Sequence, residues 1–416
     1  MTLLSGAAML APFRVRSFRF QWPADLLTSW GTEMENLVLS WFILVETGSV
    51  VLLTLFWALQ YLGVLLAPLI GMAGDRIGHR RVLCTMRASY TVLASCVTVL
   101  AFSGHLHPLE VFGVTTLSGL IRPSDQAVRN ALVAETIPSD RLMATMGVSR
   151  TTADSARIAG ALAGAGLFAA FGMGVVYVVI ASFYFSGFLL SLGIARPRVR
   201  FAALGTVQPT LWRDLVEGLS YVWDTPCSLA AMWLAFLVNL TAFPVTSGLL
   251  PYVAKDVYHI GQAGLGTLVA SFAAGSLIGS IVCGLAGRSI RPARMMLVFA
   301  FGWYAMLLIF VNMPGPASGR VMLVVAGVSQ SLSLVPMSVM LLAGAGERFR
   351  GRVMGVRMLC IYGVPIGLLI AGALIERFGF ARTCSVYCAI GVALTGLIAL
   401  RWRSALWPIE AAANAR

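Results

Sequence analysis

Charge is what this sequence has least of. Only 11% of its 416 residues are Asp, Glu, Lys or Arg, while 58% are hydrophobic and the mean hydropathy is +0.85. A soluble globular domain carries about a quarter charged residues, so that class is excluded. Lysine is nearly absent: Lys255 is the only one, preceded by Ala254. No G-x-x-x-x-G-K-[ST] phosphate loop can be built from it, so the chain holds no Walker-type ATPase of its own. The cysteines (Cys84, Cys96, Cys227, Cys283, Cys360, Cys384, Cys388) are odd in number, scattered and without a CxxC, which predicts neither a disulfide framework nor a zinc site. Cys384 and Cys388 share a helix face and read as packing residues. His105 and His107 lack further ligands, so no metal is expected. Neither H-E-x-x-H nor G-x-S-x-G occurs, so the expectation is that the chain is not an enzyme and uses no cofactor. Arg14, Arg16 and Arg19 precede no apolar run leading to a small-residue cleavage site, so the first span is expected to stay in the membrane.

Long apolar runs are abundant. Segments of about 20 residues, each long enough to cross a bilayer, predict an all-α polytopic membrane protein with twelve spans: 22–45, 50–72, 82–103, 108–130, 143–169, 174–195, 228–250, 262–286, 293–312, 321–342, 353–374 and 382–402. The net charge of +13 does not point to nucleic acid. Of the 30 Lys and Arg, 22 fall on the side of the termini and even-numbered loops, counting those at helix ends. Lys255, Arg320, Arg377 and Arg382 occupy the odd-numbered loops, and Arg122, Arg150, Arg157 and Arg357 lie inside spans. This is the positive-inside pattern, and it predicts that both termini are cytoplasmic.

Several spans carry polar groups that lipid does not tolerate. In the first, Asp25, Ser29, Thr32, Asn36 and Ser40 fall within about 60° of one another on a helix. Glu33 lies at the edge of this stripe and Glu35 points away from it. Two readings stand: a cavity wall with a protonatable carboxylate (Glu33 or Asp25), or polar groups that bond neighbouring helices. For Glu35 the second is expected; Asp25 is ordinary if it lies at the cytoplasmic surface. The fourth span places Arg122, Asp125 and Arg129 on one face beside Pro123, a kink candidate. Arg122 is deepest and is a candidate for substrate or coupling, whereas Arg129 reads as near the cytoplasmic end. In the fifth span Arg150, Asp154 and Arg157 share a face, either neutralising one another and the fourth span or serving function. Gly160 and Gly164 permit close helix packing. Further cavity candidates are Asn239 and Arg357. The basic side chains suit an anionic substrate unless Asp125 and Asp154 already neutralise them. Trp30, Trp41, Trp57 and Tyr61 suit a hydrophobic one or simple packing.

Between the second and third spans stands Gly71-Met-Ala-Gly74-Asp75-Arg76-Ile-Gly78-His-Arg80-Arg81, read as a short charged loop whose glycines allow a tight turn. Its pattern G-x-x-x-D-R-x-G-x-R-R resembles the signature between spans 2 and 3 of the major facilitator superfamily of secondary transporters. Thr28-Ser-Trp-Gly31-Thr32-Glu33 with Trp41 and Thr47-Gly48-Ser49, and Arg350-Gly351-Arg352-Val353-Met354 with Gly363-Val-Pro365-Ile-Gly367, resemble its enterobactin-type siderophore and drug exporters, many of which carry Asp where Thr32 stands. The stretch from Ala156 resembles the family's antiporter signature, with Ala156, Ala161 and Ala165 replacing Gly, Pro and Gly. A degenerate copy of the first motif occupies Gly284-Leu-Ala-Gly287-Arg288. A gapless shift of 207 residues lays Arg141 on Arg348, Arg150 on Arg357, Gly160 on Gly367 and Phe171-Gly172 on Phe378-Gly379, which predicts two duplicated halves.

The resemblance implies a major facilitator fold of two pseudo-symmetric six-helix halves, 1–195 and 228–416, joined by a cytoplasmic linker with an amphipathic helix at 196–227. It implies proton-coupled export of a small organic molecule (drug, siderophore or metabolite) across a bacterial inner membrane, by a monomer embedded in the bilayer. Asp75 would hold the cytoplasmic closure against the start of the eleventh span, with Gly71, Gly74, Arg76, Gly78, Arg80 and Arg81 forming the switch. Coupling candidates are Glu33, Asp25, Asp125 and Asp154; cavity candidates are Ser29, Thr32, Asn36, Arg122, Arg150, Arg157, Arg357 and Asn239. The alternative is an importer or facilitator of the same fold.

Overall fold

A backbone in hydrocarbon must satisfy its own polar groups, and apolar runs of this length do so as helices. The computed structural model describes residues 11–137, 139–195, 211–286, 291–346 and 349–407, of which 11, 68, 75, 139–144, 146, 147, 150, 211, 212, 214 and 286, Asp75, Arg141, Arg150 and Asp214 among them, are described by backbone alone. Arg196, Arg198, Arg200, Gly287, Arg288 and Arg348 lie outside the described residues, as do residues 196–210 of the expected linker. Among the described residues there is no strand. Among these residues eight helices are long and apolar enough to cross a membrane. One of them, Thr151–Leu192, is two spans in one, because Gly172 breaks it with φ +76°. Arg16–Thr47 and Pro108–Thr136 fall outside that set, consistent with the polar load read from the sequence, and the second span is divided into shorter pieces.

The chain clusters into two compact units, Met1–Thr206 with His259–Ala270 and Val207–Tyr258 with Ser271–Arg416. In the first unit the helices run well beyond the apolar windows, from Arg16 at one extreme to Thr136 at another. Hydropathy marks where lipid contact ends, but the backbone stays helical until a stop signal. The small-residue stripe of the fifth span packs on the first span. A methyl on Gly160 would stand 2.9 Å from Glu33 Cβ, and one on Gly164 3.0 Å from Met34 Cα. Ala156, Ala161 and Ala165 are buried on the same helix. The helix continues unbroken through Pro123.

The motif between the second and third spans is not a loop. Val50–Leu59 passes through a 3-10 turn at Leu62–Val64 into the helix Ala67–Ile77, so Gly71 to Ile77 are helical. Only Gly78, at φ +94° and ψ 130°, leaves the helix, and His79–Ser103 starts immediately after it. A side chain at that φ would be strained, so one glycine makes the whole reversal. Gly74 is needed for a different reason. The His79 ring folds back over it, and a methyl there would lie 2.6 Å from His79 Cδ2.

In the second unit Leu211–Asp224 forms the amphipathic helix expected of the linker. It docks through Glu217 to Arg352 at 2.7 Å and by stacking of Tyr221 on Phe349 at 4.7 Å. The eleventh span is interrupted, Arg350–Leu359 and Gly363–Phe378 being joined by a 3-10 turn at Cys360–Tyr362. Asn239 answers the interruption, its Nδ2 donating to the Cys360 carbonyl at 3.1 Å. Gly367 lets the same span lie against the Leu240 carbonyl, where a methyl would run into the carbonyl oxygen and stand 3.0 Å from Pro244 Cγ. Gln262–Ala286 and Pro316–Gly344 meet along an uncharged polar seam, with Ser276 Oγ donating to Gln330 Oε1 at 2.8 Å and Ser331 Oγ to the Ser276 carbonyl at 2.7 Å.

Candidate functional site

Three charged clusters gather in the first unit, all anchored on the first span. The deepest is built around Glu35, which is 3% exposed. Gly31, one turn earlier, has no side chain, and the Tyr184 ring fills that space, 2.9 Å from where a Cβ would be. The ring thereby brings its hydroxyl to Glu35, donating to Oε2 at 2.7 Å. Arg122 forms an ion pair with the same oxygen through Nη2. Its Nη1 donates to Asn36 Oδ1 at 2.6 Å and to Gln60 Oε1 at 3.1 Å. Thr32 Oγ1 lies 3.3 Å from the Tyr184 hydroxyl. A cavity of about 10 Å³ borders Glu35, Asn36, Gln60 and Arg122. Four spans thus converge on one carboxylate and one guanidinium, which neutralise each other where neither charge is solvated.

The second cluster lies toward the start of the first span. Asp25 pairs with Arg87 of the third span, and Arg87 also donates to Ser191 Oγ. Beside it Asp125 pairs with Arg129 one turn along the fourth span, and Arg129 reaches Ser29 Oγ at 3.4 Å. A cavity of about 20 Å³, room for a single water, is lined by Asp25, Ser29 and Arg129 among others. The second Asp125 oxygen and the Nε atoms of Arg87, Arg122 and Arg129 are buried with no hydrogen bond among the described residues, so these networks retain capacity for another partner. The third cluster is looser. Glu33 stands 3.7 Å from Arg157, and their side chains are 27% and 46% exposed.

Placement of the sequence candidates follows from this. Glu33 and Asp25 do not share a site; Asn36 and Arg122 belong to the deep network, Ser29 and Asp125 to the second. Glu35, expected to be a plain helix-bonding group, is the most enclosed carboxylate of the three clusters. Arg87, counted above with the helix ends, is 0% exposed inside the third span. Asp25 is enclosed as well, with 16% of its side chain exposed, and Arg129 is likewise held in a network. Asp154 is half-buried. In the second unit Arg357 donates to Ser338 Oγ at 2.6 Å, and Asn239 is spent on the break in the eleventh span. In the switch motif Arg80 donates to the Leu192 carbonyl at 2.5 Å, and His79 Nδ1 meets Glu135 Oε1 at 2.7 Å, while Arg76 and Arg81 are exposed.

For Glu35 the sequence did hold a signal, because a guanidinium in a span requires an acid and Arg122 had none assigned to it. Tyr184 carried no comparable signal, because its role depends on Gly31 making room for it.

Comparisons with known proteins agree with this architecture. The model of the Major Facilitator Superfamily matches residues 22–367. Macrolide efflux protein A of Streptococcus pyogenes is 22% identical over 377 residues, covering 86% of this chain and 91% of that protein. Among solved structures, a mutant of the nucleoside transporter NupG superposes with a TM-score of 0.70 at 13% identity, covering 93% of this chain and 100% of that one. A D-xylose-proton symporter gives 0.69 at 12%, covering 92% and 97%. An autoinhibited POT family peptide transporter gives 0.71 at 12%, covering 96% and 98%.

Proposed function

The chain belongs to the Major Facilitator Superfamily, and from that premise we propose that it exports a small organic molecule (a drug, siderophore or metabolite) in exchange for protons. It is a multi-pass membrane transporter and not an enzyme. Efflux is supported by the macrolide efflux relative, which aligns over nearly its whole length. On this reading the two halves rock about a central site, both termini face the cytoplasm of a bacterial cell, and Asp75 with its neighbours secures the cytoplasmic closure.

Coupling to protons is carried by one observation: Glu35 is buried against Arg122 and Tyr184. Arginine keeps its charge throughout any transport cycle, so a proton entering this network must sit on the carboxylate. Protonation releases Arg122 and the Tyr184 hydroxyl to bond elsewhere, which gives a proton on Glu35 and a substrate at Arg122 opposing effects on the same group. Asp25, with its own arginine, is the second carboxylate of this kind. Glu33 is more exposed and faces a more distant cation.

The test is substrate-dependent proton movement in proteoliposomes, with a macrolide, a siderophore and an organic anion as probes. Wild-type protein is expected to move protons with at least one probe, Glu35→Gln to lose this movement at least about tenfold, and Glu33→Gln to keep it. Retained coupling in Glu35→Gln assigns the proton to Asp25 or Asp125 instead. Transport without proton movement overturns antiport.

A further inference from the structure

At one end of the second unit three arginines meet without an acid. Arg294, in the first turn of Pro292–Val311, faces Arg401 and Arg403 at the end of Phe380–Arg401 and the short helix after it. With Leu400, Ser404 and Trp407 they line an open groove of about 920 Å³. Arg294 lies over the Trp407 ring at 5.1 Å, and its Nε is buried without a hydrogen-bond partner. No carboxylate pairs with Arg294, Arg401 or Arg403 among the described residues. Arg294 also stands at the positive end of its helix, where a cation is disfavoured and an anion is favoured. Among the described residues the groove therefore lacks negative charge.

Its surroundings identify the kind of anion. Val298 lies one turn beyond Arg294 and Leu397 one turn before Arg401, so each shares a face with its arginine. Val298, Leu397 and Leu400 are 54%, 59% and 74% exposed, on helices apolar enough to span a membrane. A ligand seated on the arginines would thus continue along two adjacent apolar faces. A free phosphate satisfies the first feature only; a molecule with an anionic head and acyl tails satisfies both.

We propose that this groove is a binding site for an anionic phospholipid. The phosphodiester lies between Arg294, Arg401 and Arg403, Ser404 adds a hydroxyl donor, and the tails run beside Val298 and Leu397. Membrane-facing basic pockets attract anionic headgroups by this chemistry.

Native mass spectrometry of the full-length protein in detergent, with phosphatidylglycerol against phosphatidylcholine, tests the site. Wild type is expected to retain phosphatidylglycerol preferentially, and to lose that preference as salt rises. Arg294→Gln with Arg401→Gln and Arg403→Gln is expected to bind it far more weakly, about fivefold per arginine. A matched triple, Arg14→Gln with Arg16→Gln and Arg19→Gln, should retain it. Unchanged retention in the groove triple overturns the proposal, and so does equal loss in the matched triple, which would reduce the effect to net charge. Inorganic phosphate displacing the lipid at equal concentration also overturns it, because the site would then recognise the anion without its tails. Should the groove triple fail to fold, the exposed single variants Arg401→Gln and Arg403→Gln each carry the test, with about a fivefold loss expected of each.

Discussion

Glu35 and Glu33 stand two positions apart on one helix and have opposite circumstances. Glu35 is enclosed by Arg122 and Tyr184, whereas Glu33 meets Arg157 in a half-open setting. Removing one member of an enclosed pair strands the other, at a cost of about 3–5 kcal/mol, while removing both is far milder. Glu35→Ala and Arg122→Ala are each expected to lower thermal stability in detergent sharply, and Glu35→Ala combined with Arg122→Met to restore much of it. Glu33→Ala should shift stability by less than about 1 kcal/mol. If the double variant is no more stable than the singles, the pair is not the reason for their instability. The sequence showed that these charges exist but not how they are paired. A polar stripe identifies one protein-facing side of a helix, and a helix crossed by several others has more than one. Arg87 was hidden for a related reason: its place near the start of an apolar run imitates a flanking arginine.

At the scale of elements the sequence was more informative. Most span positions, and the separation of two spans near residue 172, follow from apolar length, and the linker helix follows from the least apolar stretch, whereas the interruptions of the second and eleventh spans carry no hydropathy signal. The loop reading of Gly71–Ile77 failed because glycine and charge are turn signals in water, yet both are accommodated in a helix whose glycine receives a folded-back histidine ring. Gly78 alone bears the reversal, so Gly78→Ala is expected to cost about 1–3 kcal/mol, read as a lower unfolding temperature, whereas Gly71→Ala meets open space and should be tolerated. In the fifth span Gly164→Val must push against Met34 of the first span. A loss of about 1–3 kcal/mol is expected for such overpacking, measured in the same unfolding assay against Gly166→Ala, which has no neighbour within 4 Å.

The whole molecule repeats one device. Gly160 and Gly367 correspond under the 207-residue shift, and each admits its own half's opening span: Glu33 and Trp30 in the first unit, Leu240 and Pro244 in the second. The duplication read from sequence is therefore a duplication of contacts. The chemistry within the spans is not duplicated among the described residues: the first unit holds carboxylate–arginine clusters, the second holds Ser276, Gln330 and Ser331 in an uncharged seam, and its Glu217–Arg352 pair joins the linker helix to the eleventh span. On the proposed mechanism, proton dependence should respond to substitutions in the first unit, and Arg357→Gln should alter substrate affinity while leaving the number of protons moved per substrate unchanged. Asp75→Asn is expected to leave the folded yield intact and lower transport. Wild-type flux by well-expressed Asp75→Asn protein would remove Asp75 from the switch.

The Glu35–Arg122 pair has an electrical consequence. With the carboxylate ionised, the pair is neutral; with a proton bound, the guanidinium leaves it one elementary charge positive. A charge held within the bilayer feels the membrane potential, worth about 2.3 kcal/mol per 100 mV for a full crossing. On the proposed coupling, the loaded and unloaded forms would therefore differ in how voltage acts on them, and a cell's resting potential would bias which way the proton-bearing form faces even with no pH difference across the membrane.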